Sequence, residues 1–297
     1  MSDTLASLRR KISGAGDLES VVRSMKALAA ASIGQYEKSV LALADYYRTV
    51  ELGLVVCLRG RALTASEPAG EARTTAKTVS AIVFGSDQGL VGQFNDVVAD
   101  YAIQAIRALP GRALVWAVGS RVRARFSDAG LPLMDPLTVP TGVAAITPLV
   151  QQILVQTETR HSKGEVTELH LFHNRPAAGS AYEPVGQRLL PLDEEWRRKL
   201  VGMRWPTGRL PEVLGHGSAT LLALVREYIF ISLFRACAES LASENASRLA
   251  AMQRADKNID ELLEHLQSAF HRLRQSGIDE ELFDVISGFE ALTGSGA

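Results

Sequence analysis

His170 and His173 lie three residues apart near the end of an apolar run, where a pair of imidazoles could ligate a metal. The other histidines, His161, His216, His265 and His271, are scattered, and no Cys or second carboxylate stands at ligand spacing. No metal site is expected from such a donor set. A second candidate is the glycine-rich turn at 85–92 (Gly-Ser-Asp-Gln-Gly-Leu-Val-Gly), which follows the apolar run 79–84. A turn of that kind can cradle phosphate. This one is neither Gly-x-Gly-x-x-Gly nor Gly-x-x-x-x-Gly-Lys-Ser/Thr, and its glycines more simply permit a tight strand-to-helix turn. There is no Gly-x-Ser-x-Gly elbow and no acid/base pair. Glu194 and Glu195, followed by Trp196, Arg197, Arg198 and Lys199, read as a solvated surface segment. Arg121, Arg123 and Arg125 alternate on a helix near a turn; they could hold an anion, but a solvent-facing surface fits them better. The chain therefore predicts no catalytic residue, no cofactor site and no metal.

The elements around these residues are more informative. From Glu212 to the tail there is no proline, and apolar or small residues recur every three or four positions over 222–273. Globular helices average about a dozen residues, so an uninterrupted pattern several times longer predicts a coiled coil or helical rod. Its seam needs a partner helix. Residues 5–57 supply one, with a heptad through Leu5, Leu8, Ile12, Ala15, Val22, Ala29, Ile33, Tyr36, Val40, Leu43, Tyr47, Val50, Leu54 and Cys57, broken only at Glu19 and Lys26. Setting the small residues of 27–31 against those of 242–251 in an antiparallel sense makes position numbers sum to roughly 277. Leu54 then falls near Ala223 and Leu8 near Ala269. In that register the last turns overhang, carrying Ile278, Leu282, Phe283, Val285, Ile286, Phe289 and Leu292. So much apolar surface marks a binding site, unless the tail folds back onto the body.

Composition narrows the classes. At 297 residues the chain allows two domains, and its formal net charge of -1 argues against nucleic acid as the main partner. No apolar run is long enough for a bilayer, and the first residues lack the pattern of a signal peptide. Cys57 and Cys237 fit no metal spacing and lie apart along the proposed rod, so no disulfide is expected and the setting reads as a reducing cytoplasm.

In chain order, residues 1–58 form a first helical arm. The stretch 13–17 (Ser-Gly-Ala-Gly-Asp) predicts a bend or weak point, with Asp17 able to cap a restarted helix. Residues 59–78 read as a linker. Residues 79–207 alternate strands with helices: strands over 79–84, 113–118 and 166–172, and helices over 94–109, 121–129 and 143–157. That order predicts a Rossmann-like α/β domain with a mostly parallel sheet, its proline-rich segments 132–148 and 176–191 being loops and a sheet edge. Residues 208–297 form the second arm with its protruding tip. The predicted fold is α/β: a long antiparallel two-helix coiled coil made by the N- and C-terminal segments, with the α/β domain inserted between them. Basic residues on the arms, among them Arg9, Arg10, Lys11, Arg248, Arg254 and Arg274, are read as solvating its outer face or as contacts to an acidic sleeve.

Three blocks carry a family resemblance. The first is 9–12 (Arg-Arg-Lys-Ile) with 22–31 (Val-Arg-Ser-Met-Lys-Ala-Leu-Ala-Ala-Ala). The second is 86–95 (Ser-Asp-Gln-Gly-Leu-Val-Gly-Gln-Phe-Asn), similar to a Ser-Asp-Arg-Gly-Leu-Cys-Gly signature. The third is 239–252 with Asn258, Arg274, Gln275 and 281–288 (Glu-Leu-Phe-Asp-Val-Ile-Ser-Gly). With these the chain resembles, over most of its length, the gamma subunit of F-type ATP synthases, the central rotor shaft. It departs at Gln88 and Val91, at Gly14 to Gly16 and the following Asp-Leu-Glu, at Lys257, and around Arg204, Trp205 and Pro206.

The resemblance implies a non-catalytic shaft. Its tip would sit inside a ring of alpha and beta subunits, and its α/β domain would meet an epsilon subunit and the membrane c-ring. Met25, Arg274 and Gln275 match ring-contacting positions, and Arg204 and Trp205 fall where foot contacts are made. It further implies a peripheral place on the cytoplasmic face of a bacterial inner membrane. The rival expectation, from the residues alone, is a small α/β enzyme or binding module with a coiled-coil oligomerisation arm.

Overall fold

The computed structural model describes residues 4–62, 78–178, 180–192, 194–203, 205–207, 209, 211–213 and 217–294; the side chains of 60–62, 180, 194, 195, 199 and 288–294 are set aside. The elements run α1 (Leu5–Ala62), β1 (Thr78–Phe84), α2 (Phe94–Ala108), β2 (Arg112–Val118), α3 (Ser120–Asp128), a 3-10 turn (Val143–Ala145) leading into α4 (Ile146–Ser162), β3 (Glu168–Ala177), β4 (Ser180–Leu190), α5 (Glu194–Val201) and α6 (Gly217–Gly294). The chain divides into two compact units, Met1–Leu28 with Leu249–Ala297, and Ala29–Arg248. Most of the linker expected at 59–78 lies outside the described residues.

In the first unit α1 buries Leu8, Ala15 and Val22, spaced seven apart. Seven residues are close to two helical turns, so these side chains return to nearly one face. Opposite them, Arg9 stacks its guanidinium 5.4 Å over the Phe270 ring, and Lys26 Nζ donates to Asp256 Oδ2 at 2.5 Å. As position on α1 rises, its neighbour on α6 falls, so the two segments run antiparallel. The glycines at 14 and 16 do not interrupt α1, which corrects the expected weak point: the helix is continuous and Asp17 lies inside it rather than at a restart. Ala15 between them is a buried seam residue at 4% exposure, and packing there outweighs the glycines' unfavourable helix propensity.

In the second unit the same spacing continues on α1 through Ala29, Tyr36, Val50 and Cys57, all buried. Tyr46 Oη donates to Glu227 Oε1 at 2.7 Å, and the Tyr47 and Tyr228 ring centroids stand 5.8 Å apart. A Cβ on Gly53 would meet Leu224 Cδ1 at 3.1 Å, so the missing side chain there lets the two helices close. Both cysteines are free and buried.

The same unit holds a four-stranded sheet in the order β2-β1-β3-β4. β1 pairs in parallel with β2 and β3, while β3 and β4 are antiparallel. The sheet is thus mixed, and the segment expected to be loop and edge at 176–191 is largely the edge strand β4. Pro184, opposite Asn174, is tolerated because an edge strand need not donate on its open side. Gly186 sits against Phe172, where a Cβ would come within 2.8 Å of the ring. Alternation along the strands fills two cores. On one face Val83, Val115, Ala117 and Phe172 meet Val98 and Ala102 of α2 with Val122 and Phe126 of α3. On the other, Ile82, Phe84, Trp116 and Leu171 join Ile146, Val150 and Ile153 of α4 together with Leu54, Tyr228 and Leu233 of the long helices.

Candidate functional site

The glycine-rich turn after β1 is a hydrogen-bonded knot. Ser86 N–H donates to Asn95 Oδ1 at 2.9 Å, and Asn95 Nδ2 returns a bond to Ser86 Oγ at 2.8 Å. Asp87 accepts from two backbone amides, Ser120 N–H at 2.7 Å and Val139 N–H at 2.8 Å. Its carboxylate therefore fastens the turn to the start of α3 and to the segment before α4. Gly119, at φ 111, passes so close that a Cβ would stand 2.7 Å from the Ser86 carbonyl oxygen. The knot is docked on α6 by Ser247, whose hydroxyl donates to the Val91 carbonyl at 2.5 Å. The Ser86 amide, the Asn95 side chain and the Asp87 carboxylate are thus all committed to the fold.

Two charged groups follow on α6. Glu239 accepts from the His173 ring at 2.9 Å through Oε2 and from Arg235 Nε at 2.7 Å through Oε1. Burial pushes the Glu239 carboxyl up, but the hydrogen bonds from His173 and Arg235 outweigh it and hold the group below its ordinary value. Glu244 is buried and receives Arg248 Nη2 at 2.6 Å; burial raises its carboxyl, and Arg248 offsets only part of this. Arg248, expected on the solvated outer face or against an acidic sleeve, is thus a half-buried partner, because the spacing of Glu244 and Arg248 does not show that this face of α6 points inward. Likewise Arg123 Nη1 donates to the Met134 carbonyl at 2.6 Å, and Arg125 bridges Asp96 and Asp100, so these arginines tie α3 to its neighbours. Trp196 in α5 is no solvated residue either: its Nε1 donates to Tyr228 Oη at 3.1 Å. Sequence spacing gave no signal for the His173–Glu239 pair, whose members are 66 residues apart. Among the described residues no group of three His, Cys, Asp or Glu side chains could hold a metal ion.

The other candidate surface is the end of α6. Ile278, Leu282, Phe283, Val285 and Ile286 are between 45% and 69% exposed, on a helix that continues to Gly294. Arg274 and Gln275 precede them and are exposed, whereas Met25 on α1 is half-buried. The side chain of Phe289 and all of Arg204 lie outside the described residues. Trp205 is half-buried, and its Nε1 donates to Thr207 Oγ1 at 2.9 Å. Among the described residues no helix is long and apolar enough to cross a membrane.

Long terminal helices, a mixed sheet and an exposed apolar helix end together define a mixed α/β protein. A family model described as ATP synthase matches residues 4–292, and the chain belongs to that family. Its relatives there are gamma chains, and the chain is of that non-catalytic, central-stalk kind. The ATP synthase gamma chain of Desulforamulus reducens is 28% identical over 289 residues, covering 96% of this chain and 98% of that one. The gamma chain of Salinibacter ruber is 29% identical over 309 residues, covering 98% and 99%. The fold is shared with a chain of the Euglena gracilis mitochondrial ATP synthase OSCP/F1/c-ring structure in rotational state 3, with a TM-score of 0.66 at 16% identity and coverage of 99% and 96%. A chain of the rotor of the same enzyme in rotational state 1 gives 0.64 at 14% identity, covering 92% and 98%.

Proposed function

We propose that the chain turns as the central-stalk rotor of an F-type ATP synthase, driven at its α/β domain by ion flow through the membrane c-ring. Its asymmetry then biases, in turn, catalytic sites on the beta subunits whose conformations differ in nucleotide affinity. In this reading segments 1–58 and 208–297 work as an antiparallel two-helix coiled coil, 79–207 as the inserted Rossmann-like domain, and 59–78 as the link. The carrying observation is the run Ile278, Leu282, Phe283 and Ile286, exposed at the end of a 78-residue helix that belongs to this family. A ring of alpha and beta subunits is the sheath that apolar end calls for.

Phe289, Arg274, Gln275 and Met25 are assigned to the same ring, and Arg204 and Trp205 to contacts with the epsilon subunit or c-ring. A peripheral place on the cytoplasmic face of a bacterial inner membrane is supported by the bacterial relatives.

The test is truncation. In the assembled complex, removing the chain from Gly277 onward should weaken the link between ATP hydrolysis and ion pumping. Full coupling in the truncated complex would overturn the role given to the tip.

A further inference from the structure

Between the β3–β4 hairpin and α6 lies a half-open cavity of about 210 Å³, lined by Tyr47, His173, Arg175, Gly186, Arg235 and Glu239 among others. On either side of Glu239, Ala236, Ala238 and Leu241 of α6 belong to the same apolar core as Leu171 of β3. What crosses the gap is Glu239, whose side chain is only 12% exposed and whose two oxygens are both committed, one to His173 of β3 and one to Arg235 one turn earlier on α6. Other polar ties from this hairpin to α6 are neutral, among them Gln187 Nε2 donating to Tyr228 Oη at 3.1 Å and a side-chain hydrogen bond between Tyr182 and Ser247. The hydrophobic effect is itself non-directional, and interdigitated apolar side chains resist sliding only through their shape. A carboxylate held from two sides resists separation and sliding alike, since charge-assisted hydrogen bonds are short and directional.

From this we infer that Glu239 is a positioning residue that carries turning force between the sheet and α6, with His173 as its anchor on the sheet and Arg235 as the brace that fixes its rotamer. The inference rests on the rotor reading and adds to it the place where load passes inside the chain. Gly186, beside the cavity, keeps that route narrow: a side chain there would strike Phe172.

The experiment uses the assembled complex, immobilised by its ring, with rotation driven by ATP and torque read from a probe fixed to the α/β domain. Glu239→Gln keeps the shape and removes the charge; His173→Leu removes the anchor and leaves Glu239 braced by Arg235. Both variants should assemble and hydrolyse ATP at near wild-type rates while torque at the probe falls at least two-fold. Glu239→Asp should recover part of the loss. Unchanged torque in both variants, in complexes whose wild type rotates, would overturn the inference, as would a loss that simply tracks lowered thermal stability. If the wild-type chain itself did not rotate within its ring, the rotor reading would fall instead.

Discussion

Ser247 of α6 donates its hydroxyl to the main-chain carbonyl of Val91, fastening the knot after β1 to the long helix at 2.5 Å. The bond is buried, and losing it leaves the Val91 carbonyl with only its longer bond from Phe94 N–H at 3.2 Å. Ser247→Ala should lower stability by about 1–2 kcal/mol in denaturant unfolding. An unchanged midpoint would mean that the knot is held by its own internal bonds alone.

Gly119 and Gly130 allow a controlled comparison. Both have positive φ, but only Gly119 faces backbone atoms of Ser86 within 3 Å of a would-be Cβ; Gly130 faces open space. Gly130→Ala should cost about 1 kcal/mol and Gly119→Ala about 3 kcal/mol or more. Equal losses would show that the Ser86 contact relaxes freely.

The glycines at 14 and 16 predict the opposite sign. Each sits inside α1 with nothing within 4 Å of a Cβ position. Gly14→Ala and Gly16→Ala should each raise stability by about 0.5–1 kcal/mol, measured as a higher unfolding midpoint.

Glu239 sets an acid-side dependence. Its folded carboxyl is held below its ordinary value, so the unfolded chain takes up the proton first as pH falls. The stabilisation is complete above the ordinary carboxylate range and is lost as pH drops through the lowered folded value. Around it stand His173, Arg175, Tyr47 and Arg235, with Glu51 of α1 acting on Arg235. In Glu239→Gln the stability–pH profile between neutrality and acid should flatten relative to the parent. Identical slopes would assign the acid transition to other carboxylates.

Phe283 and Leu282 test the apolar end of α6. Both are more than half exposed. Phe283→Ser and Leu282→Ser should shift the stability of the free chain by no more than about 0.5 kcal/mol. In the complex they should loosen the chain's hold on the alpha/beta ring, seen as faster dissociation.

Period carried most of what was legible. Leu8, Ala15, Val22, Ala29, Tyr36, Val50 and Cys57 were readable as one seam because burial along a helix repeats in the sequence. The strands near 79–84 and 113–118 were readable as apolar runs ended by glycine. The sequence misled where tertiary packing decides: Ala15 carries α1 through two glycines, and Arg248 turns inward to Glu244. Glu239 with His173, and Asp87 with Val139, could not be read at all. Each pair joins residues distant along the chain, and no local spacing encodes which loop a carboxylate will reach.

Cys57 and Cys237 are both buried, and burial raises both thiols above their ordinary value. Little thiolate is present at neutral pH, and alkylating dyes meet almost no sulfur surface. A fluorophore or gold bead can therefore be attached through one engineered surface cysteine without first removing the native pair. The expected outcome is slow maleimide incorporation into the folded wild-type chain and full incorporation once it is unfolded.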